Sequence, residues 1–315
     1  MGYFKVTAQA AAQIFLLGAI GYFLVKKAIL SDEGLNALSR LIIEVTLPVL
    51  IFYQLVKGFT FALYPRWWAF PLLSLGITGL ALILGFLFTG FIKGKKKAQF
   101  LSLIAFQNSG YLPLVLLTAL LPPDKLEVMF IYIFLFLLGF NLIIWSMGVS
   151  MLIFNRVKRF ELASLFSPPV IATIFSLIFI YFNFNEFIPQ ALYRPLKMAG
   201  DCTLPLAMFV VGGNLAQVNL ERIDKKAIFF MALIKLVLLP LLGLCIALKF
   251  RLPELVGLLL LIELAMPPAT SLSVITRHYK GEDLLISQGV FFGHLISLIT
   301  LPIFLSLYFM LSIVK

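Results

Sequence analysis

The sequence predicts an all-α polytopic membrane protein with ten transmembrane helices, arranged as two inverted repeats of five helices. Three observations lead to this prediction. The 315 residues are 62% hydrophobic and only 12% charged, and the mean hydropathy is +1.06. The apolar residues form runs of about 20, the length that crosses a bilayer. Short sequences also recur in the same order in both halves. A soluble domain of this length would not bury so much apolar surface.

Ten apolar segments are long enough to span the membrane, and their short connections leave no room for an inserted soluble domain. The first segment follows Lys5, as a signal peptide would. It is too long, however, ends at Lys26 and Lys27, and lacks a small-residue cleavage site, so we interpret it as a true span. The spans are predicted at roughly 6–25, 37–57, 67–92, 98–121, 127–153, 168–184, 190–216, 227–248, 254–276 and 284–312.

The net charge of +11 reflects membrane topology rather than nucleic-acid binding. Lys and Arg cluster in the short loops, and the odd-numbered loops carry about twice as many as the even-numbered loops. The odd loops are therefore predicted to face the cytoplasm, with both termini outside it. The basic stretch 93–97 is explained by topology and would also contact anionic membrane lipid. Cys202 and Cys245 lie in apolar segments, which argues against a disulfide framework.

Residues 1–160 and 161–315 are predicted to be the two five-helix repeats. An odd number of spans in each half inserts the second half upside down, as in many secondary transporters. Three segment pairs support the repeat: EVTLP (44–48) with DCTLP (201–205), 11–22 with 171–182, and QNSGYLP (107–113) with IELAMPP (262–268).

Spans four and nine are predicted to be broken, at Asn108–Pro113 and at Glu263–Pro268. Proline removes a backbone donor, and glycine loosens a helix. In hydrocarbon, freed backbone groups are tolerated only inside protein or beside a wet cavity. In an inverted pair the two breaks would meet near the midplane, where helix N-termini face anions and released carbonyls face cations. Two kinks with a packing role only are the alternative.

The stretches QNSGYLPLVL (107–116), TLPVLIF (46–52), TLPLAMFVVGGNLA (203–216) and AMPPATSLSVITRHYKGED (265–283) resemble the auxin efflux carrier family. The resemblance covers nearly the whole chain. The family is similar in architecture to the bile acid:sodium symporters, with ten spans and crossed helices four and nine. It implies a scaffold or panel domain of spans 1, 2, 6 and 7, and a transport domain of spans 3–5 and 8–10.

The resemblance also implies a location in the cell (inner) membrane, and a homodimer. Bacterial members of the family resemble permeases of organic anions, including malate and malonate. The long cytoplasmic loop that plant members carry between spans five and six is missing here. Its absence weakens auxin itself as the natural substrate.

The predicted substrate is a small organic anion, either auxin-like or a mono- or dicarboxylate, because helix N-termini bind carboxylates. Asn108 is expected to orient it. Asn141 and His294 are expected to line the cavity, although a lone histidine on an apolar face is more often a satisfied core residue. The predicted substrate-binding residues are Asn108, Ser109, Gly110, Pro113, Met266, Pro267, Pro268, Asn141 and His294.

Glu263 is the main candidate for ion coupling. An ionised carboxylate within LLLLIELAMPP would cost several kcal/mol without a partner. The stretch resembles the sodium-site segment of the bile acid symporters, so one hypothesis is a sodium ion held by Glu263, Asn108, Ser109 and released carbonyls. Proton transfer and a purely structural carboxylate are the alternatives. No other cofactor is expected.

Three further charged residues lie within predicted spans. Glu44 and Asp201 occupy matching positions before prolines, where each would bond a freed backbone donor or carry protons. Lys235 would balance an acid, attract the anion, or extend its ammonium to an interface. Near the end of span seven, Gly212 and Gly213 permit close helix approach and do not form a nucleotide-binding loop.

The predicted function is a secondary-active carrier that works by alternating access, with coupling to sodium or protons. A sodium-coupled symporter of the bile-acid type is the alternative, and an intramembrane enzyme and a passive channel are further, less favoured hypotheses. The chain is predicted not to be an enzyme, because no Gly-x-Ser-x-Gly sequence is present. An aspartic-type dyad would need Glu44 and Asp201 close together at one depth. With only His278 and His294, a histidine-based zinc site is not expected.

Overall fold

The computed structural model describes residues 2–92, 94–152, 166–278 and 284–313, and these ranges are helical with no β-strand. The predicted all-α class is confirmed. In chain order the helices are α1 (Gly2–Lys26), α2 (Asp32–Leu41), α3 (Leu47–Gly58), α4 (Ala69–Leu87), α5 (Lys95–Ala105), α6 (Tyr111–Leu120), α7 (Pro123–Ile143), α8 (Val149–Leu152), α9 (Pro168–Tyr181), α10 (Gln190–Asp201), α11 (Thr203–Ala216), α12 (Lys225–Leu233), α13 (Leu239–Lys249), α14 (Glu254–Ala265), α15 (Ser271–His278) and α16 (Leu284–Ile313).

Within the described ranges, seven continuous helical segments are long and apolar enough to cross a membrane. They correspond to predicted spans 1, 2, 3, 5, 7, 8 and 10. Predicted span four is divided into α5 and α6, and span nine into α14 and α15, so neither is one long helix. Span six is α9, which has only 14 residues. The seven segments are Gly2–Lys26, Asp32–Gly58, Ala69–Leu87, Pro123–Leu152, Gln190–Ala216, Lys225–Lys249 and Leu284–Ser312.

π-Helical turns join α2 to α3 (Ile42–Thr46), α7 to α8 (Ile144–Gly148) and α12 to α13 (Ile234–Leu238). The first and third lie just before Pro48 and Pro240. Proline has no N–H to donate to the carbonyl four residues earlier, and a widened turn accommodates the missing bond.

α1 and α11 pack in close backbone contact at glycines. A Cβ added to Gly212 would overlap the carbonyl of Gly18, and a Cβ added to Gly21 would overlap the backbone of Phe209. Small residues let helices approach in this way. The predicted role of Gly212 in close helix approach is confirmed.

The centre of the molecule is formed by α7, α14 and the ends of α5 and α6 that face each other. Every residue of α14 from Gly257 to Ala265 is buried, and most of α7 is buried as well. Glu263 therefore lies in the best-shielded part of the fold. The interrupted helices meet at this centre.

Candidate functional site at the meeting of two interrupted helices

Two unwound segments, 106–110 and 266–270, lie antiparallel at the centre of the fold. The backbone N–H of Asn108 donates to the carbonyl of Pro267 at 2.9 Å, and that of Ala269 donates to the carbonyl of Phe106 at 2.9 Å. Each break thus satisfies backbone groups that the other leaves free, as the apolar interior requires. The two interruptions meet, as the sequence predicts.

The positions of the breaks differ from the prediction. α5 ends at Ala105 and α6 begins at Tyr111, so Pro113 lies in the first turn of α6, where a missing N–H costs little. Glu263 remains inside α14, and that helix is followed by Met266. The structural equivalent of Asn108 is therefore Pro268, and the predicted alignment of Asn108 with Glu263 is wrong.

A cavity of about 130 Å³ lies against this meeting point. The first residues of α6 and α15 line it through Tyr111 and Ser271, so two helix N-termini are directed at the same space. Phe140 and Trp145 form part of its apolar wall. Among the described residues, no Asp, Glu, Lys or Arg side chain lines it. A neutral cavity beside two helix N-termini favours an anion.

Four of the nine predicted substrate-binding residues line this cavity: Asn108, Ser109, Gly110 and Asn141. The other five do not, namely Pro113, Met266, Pro267, Pro268 and His294. Pro268 instead packs against α16, where a Cβ added to Gly293 would lie 2.5 Å from its Cδ. The two prolines of the second segment therefore shape the meeting point without lining the cavity.

His294 is buried and contacts Asn108 from behind the cavity. Its Nδ1 lies 2.8 Å from the carbonyl of Val290, which can only accept a hydrogen bond, so the ring proton belongs on Nδ1. Nε2 then accepts from the amide Nδ2 of Asn108 at 3.4 Å. His294 thus fixes the orientation of the Asn108 amide. The expectation that His294 lines the cavity is not met, and its role as a core residue explains its contacts.

Glu263 and Lys235 form a fully buried pair of ionisable residues. They interact electrostatically but are too far apart for a direct salt bridge. Lys235 does not reach an interface, so the hypothesis that its ammonium extends to the membrane surface is wrong. Its other predicted role, balancing a buried acid, agrees with this placement.

Gln107 and Ser109 connect this pair to the cavity, because both line the cavity and both face Glu263. Gln107 donates through Nε2 to Glu263 Oε2 at 3.4 Å, a long hydrogen bond. Among the described residues, four buried atoms here have no hydrogen-bond partner: Gln107 Oε1, Ser109 Oγ, Lys235 Nζ and Glu263 Oε1. Buried polar groups are rarely left unpaired, so this cluster calls for an explanation beyond packing.

Glu44 and Asp201 do not line the cavity. Each carboxylate pairs with a base four residues earlier: Glu44 with Arg40 at 3.1 Å, and Asp201 with Lys197 at 2.5 Å. The hypothesis that each bonds a freed backbone donor is therefore wrong. Both carboxylates are about half exposed and their partners are separate bases, so they do not form an acid dyad.

Sequence reasoning missed several residues of this cavity. Thr270 and Ser271 follow two prolines and precede an apolar helix, a pattern typical of a helix N-terminus that could have identified them. Tyr111 lies within the predicted break at Asn108–Pro113 but was not singled out, and Phe140 and Trp145 gave no such signal because aromatic residues are ordinary on membrane helices.

Comparison with known proteins identifies the family. A family model described as "Membrane transport protein" matches residues 6–161 and 153–305. The chain belongs to this family, the auxin efflux carriers. Membership supports a transmembrane transporter and agrees with the prediction that the chain is not an enzyme.

One relative in the auxin efflux carrier family is the auxin efflux carrier component 8 of Arabidopsis thaliana. It is 28% identical over 150 residues, which cover 47% of this chain and 40% of the relative. The chain therefore matches about two fifths of the relative's length.

Proposed function

We propose that this member of the auxin efflux carrier family is a secondary-active carrier of a small organic anion, working by alternating access. The observation that supports this best is the neutral cavity at the N-termini of α6 and α15. An anion there would be stabilised by helix dipoles and free amides. No lining side chain in the described part of the chain carries a competing charge.

The proposed architecture is ten spans in two inverted five-helix repeats in the cell (inner) membrane, with both termini outside the cytoplasm. The seven long apolar segments, the short α9 and the two interrupted pairs support ten crossings. The bias of Lys and Arg toward odd loops supports the orientation. Spans 1, 2, 6 and 7 would form the scaffold domain, and the remaining spans the transport domain.

The proposed substrate has one carboxylate at the two helix N-termini and a small apolar body. Asn108, held by His294, would donate its remaining amide N–H to the carboxylate. The body would lie against Phe140 and Trp145, which also line the cavity. A volume of about 130 Å³ is below the roughly 300 Å³ at which sites for drug-sized ligands begin. Small carboxylates therefore fit best, and the largest carboxylate expected to fit is an aromatic acid related to auxin.

The charge balance at Glu263 argues against the predicted sodium site. Three partnerless oxygen atoms, on Gln107, Ser109 and Glu263, are suitable ligands for a hard cation. Lys235, however, is a buried base that already faces this carboxyl group. A sodium ion would add a second, unbalanced positive charge in the most buried part of the fold. We therefore favour protons over sodium as the coupling ion.

A homodimer is part of the proposal. The exposed pairs Arg40–Glu44 and Lys197–Asp201 lie midway along two apolar, membrane-length segments. Charges facing hydrocarbon are costly, so this face needs a covering partner or water. A second copy of the chain would supply that cover.

The test is binding of carboxylates to the purified protein, measured by calorimetry with acetate, malonate, malate and indole-3-acetate. Asn108→Ala is expected to abolish binding while the protein remains folded and monodisperse. Asn36→Ala, at an exposed position of α2, is the matched control and should bind normally. Unchanged affinity in Asn108→Ala would count against the proposed site. Absence of binding for the whole series would count against an organic-anion carrier.

A further inference from the structure

The cavity extends from the meeting point toward only one face of the molecule. Its lining includes Ser167 and Pro169 at the start of α9, and Trp145, late in the segment that runs from α7 to α8. In the described ranges, no lining residue comes from the opposite face, where α3 ends, α7 begins and α9 ends. We call this opposite face the closed face. Something on that face must therefore separate the cavity from water.

A salt bridge joins two helices at the closed face. Nζ of Lys57, in the last turn of α3, lies 2.5 Å from Oε1 of Glu127, near the start of α7. In the proposed architecture α3 belongs to the scaffold and α7 to the transport domain. Of the salt bridges found among the described residues, this is the one that joins the two domains. Two others, Arg40–Glu44 and Lys197–Asp201, lie within the scaffold domain. The remaining two, Lys96–Asp224 and Lys125–Glu254, lie within the transport domain.

A cluster of aromatic rings lies beside this salt bridge, in the connection from α3 to α4. Phe59 stacks on Tyr64 with ring centroids 5.4 Å apart, and Tyr64 contacts Tyr132 of α7 at 6.1 Å. Phe61 contacts Tyr181, the last residue of α9, at 6.0 Å. The rings thus bridge the connection, α7 and α9. Large aromatic contacts of this kind exclude water.

The backbone at this place also leaves no gap. A Cβ added to Gly58 would lie 3.1 Å from Cδ1 of Ile131 in α7. The end of α3 therefore rests directly on α7, between the salt bridge and the aromatic cluster. For α7 to move away from α3 and α9, the salt bridge and the ring contacts must separate together.

We propose that Lys57, Glu127 and the rings of Phe59, Phe61 and Tyr64 form the gate of the closed face. The proposal rests on the proposed transport function, because it treats α3 and α7 as parts of domains that move. With the gate shut, the cavity is open toward the face where α9 begins. Opening this gate would expose the cavity to the other side of the membrane.

The salt bridge is a small but specific contribution to the closed state. Both side chains are about half exposed, so solvent screens their attraction and the pair is worth little compared with a buried one. Loss of the pair is expected to increase the open population roughly fivefold at most. Such a change is measurable as a rate of chemical labelling.

The experiment labels a single cysteine in the cavity with a membrane-impermeant thiol reagent. Cys202 and Cys245, both exposed, are first replaced by serine, and Ile43→Cys supplies the reporter, because Ile43 lines the cavity. Labelling rates are compared in right-side-out and inside-out vesicles, so no orientation has to be assumed. In the parent, labelling should be fast from one side and slow from the other.

Lys57→Gln and Glu127→Gln are each expected to increase the labelling rate from the slow side several-fold, up to the fivefold limit set by loss of the salt bridge. The reversed pair Lys57→Glu with Glu127→Lys should restore the slow rate. Lys125→Gln is the matched control. Lys125 lies two residues before Glu127, also at the closed face of the molecule, but it pairs with Glu254 at 2.7 Å within the transport domain. It should leave the slow rate unchanged.

Equal labelling from both sides in the parent would overturn the gate. So would an unchanged slow rate in both neutral variants, or an equal increase in Lys125→Gln. Labelling needs no substrate, so the result is independent of anion binding. If the carboxylate series does not bind and the labelling pattern still holds, the proposed substrate fails and the gate stands.

Discussion

The buried pair of Lys235 and Glu263 leads to the most demanding prediction. Both side chains are fully buried, and the basic group of one faces the acidic group of the other. Removing one partner of a buried pair leaves an uncompensated charge, at a cost of about 3–5 kcal/mol. Because the two groups are not in direct contact, we expect the lower value, about 3 kcal/mol, for Lys235→Met and for Glu263→Gln alike.

The double variant should be much more stable than the two single variants imply. With both charges gone, a thioether and an amide of similar volume replace them, and such replacements are often neutral. At about 2 °C per kcal/mol for a large chain, each single variant should lose about 6 °C in Tm. The double variant should recover most of that loss and end about 1 kcal/mol below the parent, which corresponds to a coupling free energy of about 5 kcal/mol between the two sites.

The assay is thermal unfolding of the purified protein in detergent, followed by tryptophan fluorescence. Lys197→Met serves as the control, because Lys197 pairs with Asp201 at a half-exposed position. It should change Tm by no more than about 2 °C. Additive losses in the double variant would refute the pairing of Lys235 with Glu263. Single variants as stable as the parent would refute the burial argument as well.

Three further predictions concern packing, ion binding and substrate size. Gly212→Ala should lower Tm by several degrees because its Cβ overlaps the carbonyl of Gly18, whereas Gly76→Ala, in open space, should not; equal effects would contradict the close packing. Tm of the parent in sodium and in choline buffer of equal ionic strength should be the same, whereas a rise in sodium that Glu263→Ala removes would establish a sodium site. Trp145→Ala should enlarge the cavity and favour larger carboxylates in calorimetry, and an unchanged preference would place the ligand elsewhere.

Much of the fold could be predicted from the sequence, because bilayer crossing imposes length and hydropathy on each helix. The two interruptions were also predictable, since proline and glycine within apolar runs are strong local signals. The residues at which each interruption begins and ends were not predictable, because Pro113 fits the first turn of α6 as well as it would fit a break. The residue identities at 263 and 268 likewise suggested a break that begins earlier than Met266.

The candidate site was predicted less completely, because its partners come from distant parts of the chain. Glu263 was identified as a costly charge within a span, but no pattern in the sequence connects it with Lys235 in another helix. Only packing shows that Lys235 is buried and faces Glu263. Asn108 and Asn141 were identifiable as polar residues in apolar runs. Phe140 was not, because an aromatic residue on a membrane helix is ordinary.

The chemistry of the meeting point is asymmetric, although its backbone pairing is nearly symmetric. Each unwound segment donates one N–H to the other, but the first segment supplies three polar side chains, Gln107, Asn108 and Ser109, whereas the second supplies Thr270 alone beside its prolines. Features that occur in both halves, such as the ion pairs of Glu44 and Asp201, are explained by the spacing of four residues along a helix. Features present in only one half need a separate cause. Gln107 and Ser109 face both the cavity and Glu263, so binding of an anion in the cavity would be felt by the buried pair behind them. The first segment is therefore where substrate binding and ion coupling would be connected, and substitutions there should alter both.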